Sequence, residues 1–182
     1  MKKAIRLAGV LFAAVSFWTG TCLAADGINL YENLSRRSEV KVFVSAPVDS
    51  TGKEIAHTDD LKAELEKSLT ARKSIRFKVV PTREEADLAI DTIILELIWS
   101  ENDPVDMLMG LGMTAVDALS NENYVRMQAH FVVTDISRRE IVWQDKLLST
   151  VTKSPMSEKE AAYLINPDMA KTFIRQAFSK RR

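Results

Sequence analysis

Cysteine, histidine and glycine are all scarce in this chain of 182 residues, with one, two and six copies respectively. The lone thiol, Cys22, permits no intramolecular disulfide, so stability has to come from a packed interior. His57 and His130 have no second ligand at metal-binding spacing, so neither a metal site nor a cofactor is expected. No G-x-S-x-G elbow and no phosphate-cradling glycine loop occurs. Gly110 and Gly112 form G-L-G without a third glycine, and they follow Pro104 rather than a strand end. Excess charge is also missing: 25 basic side chains balance 25 acidic ones. A chain of this balance is a poor partner for nucleic acid, and none is expected. Internal repeats and low-complexity tracts are absent as well. What is plentiful is apolar material, 46% of the chain, enough for one domain with a real core.

The first residues read as an export signal, expected to cover 1–24. Lys2, Lys3 and Arg6 form a positive start, and Leu7 to Trp18 is apolar but too short to span a bilayer as a helix. Thr19, Gly20 and Thr21 follow, then Cys22, Ala24 and Ala25. Cys22 separates two fates. A lipoprotein signal places a small residue directly before the cysteine and usually leucine three before it, whereas Thr21 and Thr19 stand there. Ordinary cleavage after Ala24 or Ala25 fits better. A periplasmic protein is therefore expected, with a lipid anchor on Cys22 at the outer membrane as the alternative. Loss of Lys2, Lys3 and Arg6 would leave the mature chain mildly acidic.

Residues 25–39 read as an irregular lead-in and 40–182 as a single α/β domain. Val40 to Ala46 alternates and is β-branched, a strand. Pro47 to Ile55 reads as a loop. Thr58 is placed to cap a helix, with Asp59 and Asp60 in its first turn and Leu61, Leu65 and Leu69 in one apolar stripe. Arg72 and Lys73 close it. Ile75 to Val80 is a short strand stopped by Pro81, and Thr82 to Glu85 carries a capping-box pattern for one helical turn. Leu88 to Trp99 is rich in Ile and Leu on both faces, as in a strand covered on both sides. Tyr124 to Thr134 alternates, with Val125, Met127, Ala129, Phe131 and Val133 on one face and Arg126, Gln128 and His130 on the other. Glu140 to Thr152 returns as its hairpin partner, with Ile141, Trp143, Leu147 and Val151 on one face. Ser157 and Glu160 form a capping box, and Pro167 is expected to break or restart the last helix. Arg175, Lys180, Arg181 and Arg182 are expected to complement the carbonyl end of that helix rather than bind phosphate. The order is β-α-β-β-(helical insert)-β-β-α, an α+β arrangement with helices packed on a single mixed sheet.

One segment stands apart. Residues 104–119 carry Met107, Leu108, Met109, Leu111 and Met113 at helical spacing, interrupted by glycine. Such a stripe packs on the sheet as core, or it serves as a mobile apolar patch for a partner, a lipid or a membrane face. The neighbouring carboxylates, Asp59 with Asp60 and Glu84 with Glu85, point in different directions on a helix and read as N-terminal charge rather than an acid/base pair.

The pattern V-S-A-P-V-D, then F-K-V-V-P, then E-E-A-D-L-A-I, then V-V-T-D-I-S-R-R-E-I-V-W resembles the α/β domain of the curli secretion lipoproteins and the TolB N-terminal domain. Such domains read A-D-L after the second strand, matched by Ala86, Asp87 and Leu88. They read D-x-x-t-g-x-v-x-W across the final hairpin, matched by Asp135, Ile141, Val142 and Trp143. The resemblance implies an envelope accessory or assembly protein, often oligomeric, and no catalytic residues. The leading expectation is thus a non-catalytic envelope module acting through protein contacts, by the 104–119 segment or an exposed sheet edge, with homo-oligomer formation left open. A carrier of small apolar ligands or lipids, with 104–119 as lid, is the second reading. A hydrolase with an unrecognised site is the third.

Overall fold

The computed structural model describes residues 30–52, 57–100, 123–153 and 157–179. The elements run α1 (Leu30–Leu34), β1 (Val40–Val44), β2 (Val48–Asp49), α2 (Thr58–Thr70), β3 (Phe77–Val79), β4 (Leu88–Ser100), β5 (Asn123–Asp135), β6 (Glu140–Lys153) and α3 (Glu158–Phe178). The strands form one mixed sheet in the order β3-β1-β4-β5-β6, with β2 also lying beside β4. β1 is parallel to both β3 and β4. The long strands β4, β5 and β6 form an antiparallel meander. This is the single mixed sheet with packed helices that the pattern predicts.

β1 alternates as expected: Val40, Val42 and Val44 are buried under the helices. After Pro47, which has no N–H for the ladder, the chain rejoins β4 as β2. The spacing shifts by one residue, from Val44 opposite Ile90 to Val48 opposite Ile93. Two residues of strand inside a Pro/Ser/Gly-rich stretch carry no periodic signal, and the stretch reads as loop from sequence. The lead-in is likewise not wholly irregular. It contains α1, whose Leu30 and Leu34 lie one turn apart and both enter the core.

Leu61, Leu65 and Leu69 of α2 are fully buried. The start of α2 differs from expectation. Thr58 is its first helical residue rather than its cap, and His57 precedes it in the left-handed region at φ 41° with no side-chain cap. The first turn is closed instead by the His57 carbonyl, which accepts from the N–H groups of Asp60 and Leu61 at 3.0 and 3.2 Å. Thr82 to Glu85 forms turns and no helix; the Thr82 hydroxyl donates to the Glu85 carboxylate at 3.1 Å.

α3 starts with the expected capping box. The Ser157 hydroxyl accepts from the Glu160 N–H, and the Glu160 carboxylate accepts from the Ser157 N–H at 3.0 Å. Those hydrogen bonds hold the Glu160 carboxyl below its usual range. Pro167 does not break α3, which runs through it to Phe178. Proline costs the Tyr163 carbonyl its helical partner. Tyr163 lies on the exposed side of the helix, while Ile165, Met169 and Phe173 lock both halves into the core.

The centre of the core is aromatic. Phe173 stacks on Phe131 of β5 at 4.5 Å between centroids and meets Trp143 and Phe178 edge-on, each at 5.6 Å. Offset and edge-on geometries are the favoured ones for such rings.

Candidate functional site

The residues singled out from sequence as contacts, Met107, Leu108, Met109, Leu111 and Met113, lie outside the described residues, as do the leader, Cys22 and residues 180–182. The candidate surfaces therefore come from the sheet and helices themselves.

The three described helices pack on one face of the sheet. That face takes Leu88, Ile90 and Ile94 from β4 and Val125, Met127, Ala129, Phe131 and Val133 from β5, as the alternation in β5 predicts. On the other face no described helix packs. There Arg126, Gln128 and His130 of β5 are half-buried, and Arg126 donates to Glu96 of β4 at 3.0 Å. Apolar side chains stand among them: Val48, Ile93, Ile141 and Leu148 are 58%, 39%, 54% and 50% exposed. Val48, Ile93, His130 and Lys146 form one row across four strands. Two expectations are corrected here. β4 is not covered on both sides along its length, because Ile93 opens to solvent. Ile141 does not share the face of Trp143. Val133 opposes Trp143 but Thr134 opposes Ile141, so Val142 is an inserted residue. A β-bulge of this kind reverses the direction of side chains beyond it. Val142 takes the place against the core, and Ile141 turns outward.

The residues that carry the family resemblance build turns and strand ends. The Asp87 carboxylate accepts from the Lys41 N–H at 2.8 Å, while the Asp87 N–H donates to the Lys41 carbonyl and its carbonyl accepts from Ile136. Asp87 thus ties the start of β4 to β1 and to the β5–β6 turn. Asp135 opens that turn. Its carboxylate accepts from the Ser137 hydroxyl at 2.7 Å and from the Arg138 N–H at 3.0 Å. Burial alone would raise the Asp135 pKa, but these hydrogen bonds and the Arg138 charge outweigh it and hold the carboxyl below its ordinary value. Arg139 closes the turn in the left-handed region at φ 57°, at the position where the resembled pattern carries glycine.

Two grooves stand out among those lined by described residues. One, of about 330 Å³, lies by the hairpin turn and is lined by Arg83, Glu84, Thr134, Ile136 and Arg139. The other, of about 480 Å³, lies between α2 and α3 and is lined by basic residues over a partly apolar floor. Arg72 sits in it and caps α3 rather than α2, donating to the carbonyls of Ile174 and Phe178. Burial lowers its pKa, with Tyr31 acting in the opposite sense. This is the role expected of the basic C-terminal residues; the part of Lys180 to Arg182 falls outside the described residues.

As for chemistry, the Ser149 hydroxyl is buried and donates to Asp168, with neither histidine as its partner. His57 stacks on Tyr163, and His130 stands on the bare sheet face. Asp59 and Asp60 are first-turn charges of α2, as expected. Among the described residues no group of three or more His, Cys, Asp or Glu could hold a metal ion. No described helix is long and apolar enough to cross a membrane.

No family model matches the chain, and no protein with curated annotation does. Solved structures do resemble it. A protein from Xanthomonas campestris, of a family of unknown function, is 9% identical with a TM-score of 0.51, over 76% of this chain and 82% of that one. The PelC dodecamer from Paraburkholderia phytofirmans is 14% identical with a TM-score of 0.49, over 78% and 90%. A minor lipoprotein from Acinetobacter baumannii is 17% identical with a TM-score of 0.43, over 75% and 91%. At these identities the Xanthomonas likeness shows the fold alone, one that occurs in bacterial proteins of unknown function. The resemblance to curli secretion and TolB domains rests on the motif residues described above.

Proposed function

We propose that this chain is a non-catalytic accessory module of the bacterial envelope that works by binding other proteins through the bare side of its meander. One observation carries this reading. The described helices are all on one face, while the other face presents Val48, Ile93, Ile141 and Leu148 among polar side chains. Such a mixture of apolar anchors within a polar surround suits a protein contact. At its margin, β6 pairs only with β5 among the described residues, and its free backbone groups suit addition of a partner strand. The export signal read in residues 1–24 supports the envelope, and the absence of a histidine beside Ser149, whose buried hydroxyl donates to Asp168, supports a non-catalytic reading. The carrier reading gains less support. Its lid lies outside the described residues, and the two grooves described above are lined by charged side chains.

The test is a photo-crosslinking residue placed at Leu148 or Ile141 in cells, with Glu66 on the flank of α2 as control. Discrete higher-mass adducts in the envelope fraction from the two sheet positions, and not from Glu66, are the expected result. Equal labelling from all three sites, or none, sinks the proposal. Intact mass of the protein from the same cells reports the export fate: a chain starting at Ala25 or Asp26, or diacylglycerol on Cys22.

A further inference from the structure

A second surface lies on the helical side of the molecule, away from the bare sheet face. The groove between α2 and α3 is bounded by Lys67 and Arg72 on one side and by Lys171 and Arg175 on the other, with Ala71, Pro167 and Ile174 among its lining. Its one lining carboxylate, Glu64, is already paired with Lys67 at 2.9 Å. Arg72 is engaged with the last carbonyls of α3, so it cancels the negative end of that helix. Lys171 and Arg175 have no ion-pair partner among the described residues. The groove thus keeps an uncompensated positive charge in a chain whose overall balance is neutral.

We propose that this groove binds an acidic, extended segment of a partner protein. Its shape favours that over a compact anion. Lining residues run along α3 from Pro167 to Ser179, about 18 Å at the rise of a helix. Lys171 and Arg175 are one turn apart, about 6 Å along the axis. In an extended chain alternate residues recur at roughly 6.6 Å. Acidic side chains at every second position of such a segment therefore meet successive cations. The residues between them reach Ala71, Pro167 and Ile174. The site is independent of the sheet face, so one surface can fail its test while the other passes.

The experiment is fluorescence anisotropy of purified protein with a labelled peptide of alternating Glu and Leu. An alternating Lys and Leu peptide and phosphatidylglycerol vesicles serve as rival probes. Saturable binding of the Glu peptide alone is expected, weakened by salt because exposed charges are screened. Lys171→Glu combined with Arg175→Glu should lower affinity about tenfold or more, with Lys171→Gln and Arg175→Gln falling between. Lys78→Glu on β3 should stay within about twofold. Circular dichroism checks that the surface variants remain folded. No saturable binding of the Glu peptide, or equal binding by wild type and charge-reversed protein, overturns the proposal. Binding of vesicles but not peptide, lost on charge reversal, overturns it in favour of a lipid surface.

Discussion

The two faces of the sheet are made by the same strands, yet they are governed by different constraints. On the helical face, β5 contributes Val125, Met127, Ala129, Phe131 and Val133, all buried, and each position has a fixed neighbour. On the bare face the same strand contributes Arg126, Gln128, His130, Val132 and Thr134, all half-buried. A side chain on the first face is held by volume and shape, because interiors pack at crystal-like density. One on the second face is held mainly by strand register and has room to change.

The sharpest way to test that contrast is a matched pair of truncations. Phe173→Ala removes the ring that joins Phe131, Trp143 and Phe178, and should cost about 3–5 kcal/mol. Leu148→Ala on the open face should stay within about 0.5 kcal/mol. Urea unfolding of both variants measures the difference. A loss above about 2 kcal/mol for Leu148→Ala would mean that the bare face is structural.

How far the sequence revealed these faces depended on length and regularity. The β5 alternation and the Leu61–Leu65–Leu69 stripe are long, periodic signals, and both faces follow from them directly. Strict alternation puts Ile141 on the wrong face because Val142 is inserted, and a bulge leaves no trace in residue type. β2 and α1 are too short to show a period. The continuity of α3 through Pro167 depends on the core around Ile165, Met169 and Phe173, which no local rule contains. The bare face as a candidate surface was half-legible. Alternation in β5 marks its polar residues, but it does not mark Ile93 of β4, because an apolar run looks the same whether or not a second layer exists. Position alone gives Arg72 to the end of its own helix, since only the fold brings it to the end of α3.

The β5–β6 turn holds the two faces in register, and it supplies an effect of intermediate size. Asp135→Ala removes the acceptor of the Ser137 and Arg138 hydrogen bonds, and should cost about 1–2 kcal/mol near neutral pH. The sign with pH follows from the lowered folded-state pKa. The carboxylate's contribution is fully present above the unfolded value, near 4, and disappears as pH falls through the folded one. Wild type and Asp135→Ala should therefore converge in stability below about pH 4. Urea midpoints measured from neutral to acidic pH check this; a constant gap at every pH would refute the assignment.

The smallest expected effect has the opposite sign. Arg139 holds a left-handed φ of 57°, where a Cβ crowds the following carbonyl at a cost of about 1 kcal/mol. The resembled hairpin pattern carries glycine at that place, and the geometry explains why. Glycine adopts the conformation without that crowding, though it also widens the unfolded ensemble by about 0.5–1 kcal/mol. Arg139 also lines the groove by the turn with Glu84 and with Arg83, itself paired with Asp91 at 2.9 Å, so any effect of removing its charge is the smaller of the two. Arg139→Gly should then raise stability, by less than about 1 kcal/mol, and Arg139→Val should lower it, since a β-branched side chain tolerates positive φ worst. The pair of melting curves separates the two causes. If Arg139→Val stabilises the protein as Arg139→Gly does, charge rather than backbone strain sets the cost of arginine at the turn.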